Sequence, residues 1–415
     1  MFRSLRHRDF RIFFIGQFIS LTGSWMQQAA QAWLVYRMTR DPFALGLVGF
    51  AGQIPVFFLG LHAGLLVDRV DRRRLVLATQ AASLIQAVVL AGLTLGGRVE
   101  VWHVYVLAAW LGAANAFDLP ARQVLIGELV GPEDRHNAIA LNASIVNGSR
   151  IIGPALAGVL IGWRGEGVCF ALNAASFLAV LVGLAVMRGP APRRAEATGS
   201  DWSEIRLGIS YALGEDAVRG LLGLLCVISL GAMPAFVLLP VFAGEYLGVG
   251  PTGLGFLMGA AGAGATAGAL VLASRDKGEG LDRAIAPMGA GLAVALIGLA
   301  VSRSFALSAA VMAVVGLGVM VTFAVANTLL QELASDRFRG RVMGFYTMTF
   351  MGIAPIGNLL AGLLARRIGA PWAVILGAVG CAVFCSYYAS FLPGLIAAHR
   401  RRSSGLSVSG PGSPV

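Results

Sequence analysis

Charge is what this chain has least of. Asp, Glu, Lys and Arg make up 13% of its 415 residues, about half the 25% usual in a soluble globular chain, and that shortage excludes an ordinary water-soluble enzyme. Cysteine is scarce too. All four, Cys169, Cys226, Cys381 and Cys385, lie inside apolar runs, where the expected role is that of a small buried hydrophobe. Cys381 and Cys385 share a helix face, but no further ligands accompany them, so neither a metal site nor a redox compartment follows. The sequence has no glycine-rich phosphate loop ending in Gly-Lys-Ser/Thr, no His-Glu-x-x-His and no nucleophile elbow. No catalysis and no cofactor is expected, and an ion gradient is the remaining energy source for uphill movement of a solute.

Hydrocarbon is what the chain has most of. Hydrophobic residues make up 57% and the mean hydropathy is +0.76; at about 20 apolar residues per crossing, the length suffices for about a dozen spans. Cutting at clusters of charge, Gly and Pro predicts twelve helices, near 10–36, 42–67, 75–95, 101–121, 138–162, 168–187, 220–242, 251–273, 284–301, 305–334, 342–364 and 372–395. The first run is far longer than the ~7–15-residue apolar core of a signal peptide, so it is read as a retained span. The net charge of +11 sits in clusters between spans, not in a stripe interleaved with aromatics, which argues against nucleic acid as a partner. Of the 32 Lys and Arg, 24 fall in one alternating set of loops and seven in the other. Positively charged loops stay cytoplasmic, which predicts that both termini and the 188–219 loop face the cytoplasm.

The longest connection, 188–219, divides the chain into a six-helix half at 1–187 and another at 220–395, with a Ser/Gly/Pro-rich tail at 396–415 expected to be disordered. Within the connection, 202–207 reads as an amphipathic helix on the inner membrane surface. A shift of 204 residues superposes Leu156-Ala157-Gly158 on Leu360-Ala361-Gly362, Glu128-Leu129 on Glu332-Leu333, and Arg135 on Arg339. Such a parallel repeat of two halves is the arrangement expected of a transporter.

Between spans 2 and 3 runs Gly64-Leu65-Leu66-Val67-Asp68-Arg69-Val70-Asp71-Arg72-Arg73-Arg74. Gly64 would let a neighbouring helix approach closely, and Asp68 can accept from Arg69 or Arg72 or sit against a helix N-terminus. A plain stop-transfer cluster would account for the arginines but not for the acid. In span 5, Gly148, Gly153, Pro154 and Gly158 predict a kinked helix able to lie against a partner's backbone.

The first stretch resembles the loop 2–3 motif of the major facilitator superfamily, with Asp71 in place of its second glycine. The resemblance implies that Gly64, Asp68, Arg69, Arg72 and Arg73 form a network at the cytoplasmic helix ends that stabilises the outward-facing state. The second resembles that superfamily's antiporter motif, with Ala157 and Ser149 replacing glycines, and implies proton-driven export. The segments 115–122, 128–130 and 339–344 look like the bacterial branch that contains the enterobactin exporter and macrolide efflux proteins. The implied fold is all-α and integral to the membrane, with twelve transmembrane helices in two pseudo-symmetric six-helix halves. The implied function is alternating-access export of an amphipathic drug, siderophore or other metabolite, coupled to protons, by a monomer in the lipid bilayer. A nutrient importer or facilitator, and a non-transporting scaffold or sensor, are the alternatives.

A few polar side chains inside the spans are the site candidates. Gln17, Ser20, Ser24, Gln27, Gln28 and Gln31 recur at i, i+3, i+7, i+10, i+11 and i+14 of span 1. They are expected to line a central cavity, with hydrogen bonding between helices as the plainer reading. Asn115, Asp118 and Arg122 share a face of span 4, and Asn147 and Arg150 a face of span 5. Asp118 could carry a proton, and Arg150 could hold it deprotonated or bind an anionic substrate. Alternatively Asp118 and Arg122 form a static i,i+4 pair. Glu128 with Arg135, and Glu332 with Arg339, read as inner-gate salt bridges or as solvated surface.

Overall fold

The computed structural model describes residues 3–187, 207, 210–274, 281–335 and 338–403. Among these residues there is no strand, and twelve helical elements follow one another. They are α1 (Arg8–Thr39), α2 (Pro42–Arg69), α3 (Arg72–Leu95), α4 (Val101–Leu129), α5 (Arg135–Arg164), α6 (Glu166–Val186), α7 (Asp216–Tyr246), α8 (Gly250–Ala273), α9 (Leu281–Val301), α10 (Phe305–Leu333), α11 (Arg339–Ile368) and α12 (Ala370–Ser403). The seventh is broken at Ala232 and Met233 and ends in a π-helical turn, Phe242–Tyr246. Every expected span has its helix.

Two ends differ from expectation. The fourth helix continues past 121 to Leu129 because Leu125, Ile126 and Leu129 extend its buried apolar face. The last runs to Ser403, so helix replaces the first part of the expected tail. The amphipathic stretch at 202–206 and the tail at 404–415 lie outside the described residues.

Local chemistry sets the junctions. Asp41 caps α2 by accepting from the Phe43 amide at 2.9 Å, with Pro42 in the first helical position where no amide donor is needed. Asp71, the departure from the loop motif, caps α3 by accepting from the Arg74 amide at 3.0 Å. Gly165 and Gly369, related by the 204-residue repeat, have φ of 80° and 88° and turn the chain from α5 to α6 and from α11 to α12. Side chains with a Cβ rarely adopt that region, which is why glycine stands at both.

Ten of the described helices are long and apolar enough to cross a bilayer. Long but polar, α1 is not among them, and the apolar part of α9, Pro287–Val301, is short. Large side chains such as Trp163, Leu270 and Val294 are about 70% exposed (71%, 67% and 69%), a surface that suits acyl chains and not water. Packing repeats between the halves: α1 lies on α5 and α6 as α7 lies on α11 and α12, α2 on α4 as α8 on α10, and α3 on α4 and α6 as α9 on α10 and α12. The halves meet chiefly along two seams, α2 with α11 and α5 with α8.

Candidate functional site

Alternation of direction puts the start of α1 and the finish of α12 at one end of the bundle, called here the near end, and the start of α2 and finish of α11 at the far end. The seams close at the far end. A Cβ placed on Gly46 of α2 would lie 2.5 Å from the Asn358 carbonyl oxygen and 3.2 Å from the Gly362 Cα of α11. On α5, a Cβ on Gly158 would lie 2.9 Å from the carbonyl oxygens of Pro251 and Thr252 at the start of α8. The Thr252 hydroxyl also donates to the Gly158 carbonyl at 3.1 Å. Pro154 and Gly255 touch in the same seam, and Gly153 faces α1, where a Cβ would meet Trp25 Cβ at 2.6 Å. Three residues of the span 5 motif are therefore contact points of backbone on backbone; Gly148 touches only the Phe18 ring, at 3.7 Å.

At the near end the glycines of α2 and α11 do not meet. Gly60 and Gly64 of α2, and Gly340 and Gly344 of α11, have nothing within 4 Å of where a Cβ would stand. The close approach expected at Gly64 is absent in this state, because the near ends of α2 and α11 diverge. Of the loop 2–3 residues, Arg69 is exposed, and the side chain of Asp68 lies outside the described residues. Arg72 is buried and pairs with Glu128 of α4 at 3.7 Å. Arg73 donates from Nε and Nη2 to the Leu184 carbonyl at 2.9 and 2.5 Å, capping the last turn of α6. Glu128 thus pairs with Arg72 and not with Arg135, whose guanidinium lies along Gly127; α3 passes beside the end of α4, which the repeat alignment does not reveal. Arg339 donates to the Gln331 carbonyl at 3.1 Å, and Glu332 lies one residue on, in the last turn of α10.

The stripe on α1 divides. Gln27, 1% exposed, donates to Gln86 of α3 at 2.9 Å and accepts from Asn173 of α6 at 2.8 Å. It holds three helices together inside the first half, which is the plainer reading, hydrogen bonding between helices, at this position of the stripe. Gln17 and Ser20 are buried, as is Gln31; Ser24 is half-buried and donates back to the Ser20 carbonyl. Gln28 is exposed. It stands nine residues, or about two and a half turns, from the exposed Ile19, hence on the opposite side of the helix.

Asp118 is 3% exposed, with Oδ1 accepting from the Thr79 hydroxyl and the Gln80 amide, both at 2.9 Å, and Oδ2 lying 3.4 Å from Arg122. This is the i,i+4 pair, enclosed by α3, and Arg150 takes no part in it. Asn115 is exposed, and it stands nine residues from both Val106 and Val124, which face outward. On α5, Asn147 donates to the Ala143 carbonyl at 3.0 Å, and the Arg150 guanidinium stands 5.0 Å from the centre of the Trp25 ring. Asn115 and Gln28 are thus exposed polar groups on bundle helices, and Arg150 lies at the seam beside Gly262 of α8.

None of the residues singled out from the sequence belongs to a charged cluster that bridges the halves at the far end. The Tyr36 hydroxyl donates to Glu245 of α7 at 3.3 Å, Arg40 donates to Tyr36 at 3.1 Å, and Arg366 of α11 lies 3.6 Å from Asp41. Arg40, Asp41, Glu245 and Arg366 line a cleft of about 440 Å³. Charges in loops otherwise poor in Lys and Arg were the available signal.

Comparison with known proteins agrees with this architecture. The family model described as transmembrane secretion effector matches residues 1–402. Enterobactin exporter EntS of Shigella flexneri is 26% identical over 367 residues, 87% of this chain and 86% of that one. Macrolide efflux protein A of Streptococcus pyogenes is 25% identical over 364 residues, 85% of this chain and 88% of that one. A crystal structure of a bacterial homologue of the human lysosomal transporter Spinster superposes with a TM-score of 0.66 at 14% identity, covering 94% of both chains, which shows the shared fold. The relatives are transporters and not enzymes, and the chain belongs to the transmembrane secretion effector family of the major facilitator superfamily.

Proposed function

We propose that the protein is a proton-coupled exporter of amphipathic small molecules in the bacterial cytoplasmic membrane, with both termini in the cytoplasm. The near end is then the cytoplasmic face, and the structure is an inward-open state. The observation that carries this reading is the one-sided seam. Gly46 and Gly158 meet the other half's backbone at the far end, whereas Gly60, Gly64, Gly340 and Gly344 face no neighbour at the near end, so polar residues between the halves are open to one side only. Alternating access needs such a pair of gates around a midplane site. The names of the relatives, an enterobactin exporter and a macrolide efflux protein, favour export, as does the place of Pro154 and Gly158 in the seam. In the outward-facing state the loop around Gly64, Asp68 and Arg69 would meet the second half. Asp118 is the candidate proton carrier.

Everted vesicles containing the protein should accumulate an amphipathic drug or siderophore when a proton gradient is imposed and lose it when the gradient is collapsed. Failure to accumulate any member of a ligand panel refutes export. Accumulation to equilibrium only, indifferent to the gradient, supports the second reading, facilitated passage. The enclosure of Asp118 by Thr79, Gln80 and Arg122 favours that alternative.

A further inference from the structure

We infer that the transported molecule carries an oxyanion group, in the first instance a carboxylate, on an apolar body, and that Arg150 receives it. The inference rests on the transporter reading above and specifies its substrate class. Arg150 stands at the middle of α5 (Arg135–Arg164), nine residues from the outward-facing Val159 and so on the opposite side of that helix. Its backbone carbonyl and Cγ border Gly262 of α8, in the other half. It thus occupies the midplane at a seam that rearranges during transport.

The electrostatics of the bundle centre are one-sided. Asp118 is matched by Arg122 at 3.4 Å and by two neutral donors. Among the described residues no carboxylate pairs with Arg150, and its Nε is buried without a hydrogen-bond acceptor. Its one specific neighbour is the Trp25 ring, 5.0 Å from the guanidinium carbon. A cation over an indole face is partly stabilised, but the ring plane accepts none of the in-plane N–H bonds of the guanidinium fork. A carboxylate fits that fork through two parallel hydrogen bonds, and the Trp25 face offers an apolar shelf to the rest of such a molecule. A cationic amphipath would instead place a second positive charge beside an unneutralised one in low dielectric.

The test uses the full-length protein in lipid nanodiscs and three fluorescent probes of one shape: pyrenebutyrate, its neutral primary amide, and a pyrenebutyl trimethylammonium cation. Binding is read by anisotropy against empty nanodiscs. A charge-assisted pair predicts that the wild-type protein binds the acid about tenfold or more tighter than the amide, with the cation weakest. Arg150→Gln should bring acid and amide within about twofold of each other while keeping the amide's affinity, which also reports an intact site. Arg150→Lys should retain a reduced preference for the acid, since the charge remains and the fork is lost. Equal binding of acid and amide by the wild type overturns the inference without recourse to any variant, as does a preference that survives in Arg150→Gln. Acid preference in nanodiscs with no accumulation in vesicles would refute export and leave this assignment standing. Gradient-driven accumulation of the cationic probe that Arg150→Gln leaves unchanged would do the reverse.

Discussion

Gly158→Ala puts the one-sided seam to the test with a single added methyl. In the far-end-closed state that methyl would stand 2.9 Å from the Pro251 and Thr252 carbonyl oxygens and 3.0 Å from the Thr252 Cα, all backbone atoms of α8 that cannot rotate aside. The seam must part or strain. Overpacking of this kind costs about 1–3 kcal/mol, which corresponds to roughly a 5–150-fold shift of the two-state equilibrium away from far-end closure. Within α5 itself the change is favourable, because alanine is the better helix former by up to about 1 kcal/mol, so loss of the helix is not the expected failure. Spin labels at Arg98→Cys and Ala306→Cys, exposed far-end positions in opposite halves, report the distance across the far end in a cysteine-free background. Gly158→Ala should add a longer-distance population that the parent lacks. Gly64→Ala is the control: nothing lies within 4 Å of its added methyl, so the far-end distance should stay as it is. An unchanged distribution in Gly158→Ala, or the same lengthening in Gly64→Ala, would refute the assignment of the seam.

Two further predictions separate structural polar groups from working ones. Gln27→Leu removes the bonds to Gln86 and Asn173, worth about 0.6–2 kcal/mol each inside a membrane. It should lower the thermal midpoint in detergent, whereas Gln28→Leu should leave melting unchanged and slow transport; equal melting losses would show that the stripe is not divided. Asp118→Asn leaves Arg122 as an unpaired charge in a buried position, a change that costs about 3–5 kcal/mol. Adding Arg122→Gln should restore most of the lost melting temperature. If the double variant also regains gradient-driven transport, Asp118 is a structural group and not the proton carrier.

The sequence made some of the site legible and left the rest obscure for an identifiable reason. The glycines and proline of span 5 announced close packing, and Gly153, Pro154 and Gly158 lie in tight contacts. Gly64 made the same announcement and faces empty space, since a glycine records that two backbones can meet in some state and not that they meet in this one. Gln27 and Gln28 are neighbours in the chain yet point about 100° apart, enough for one to tie α1 to α3 and α6 while the other stays exposed. Glu128 sits near Arg135 in sequence and pairs with Arg72, because α3 runs past the end of α4. The Tyr36, Glu245, Asp41 and Arg366 cluster went unnoticed, since its members are scattered over more than three hundred residues and only the closure of the far end assembles them.

The order of apolar runs and breaks alone determined that there are twelve helices and in what order, because a segment crossing hydrocarbon must satisfy its own backbone hydrogen bonds, which a helix does within itself. The 204-residue echo likewise determined that the two halves share one packing scheme. Which face of each helix meets which neighbour, which of two conformations the seams adopt, and which polar residues hold the fold and which stand open between the halves were decided by tertiary structure. Those depend on the rotation and tilt of one helix against another, quantities that spacing along a single helix does not encode.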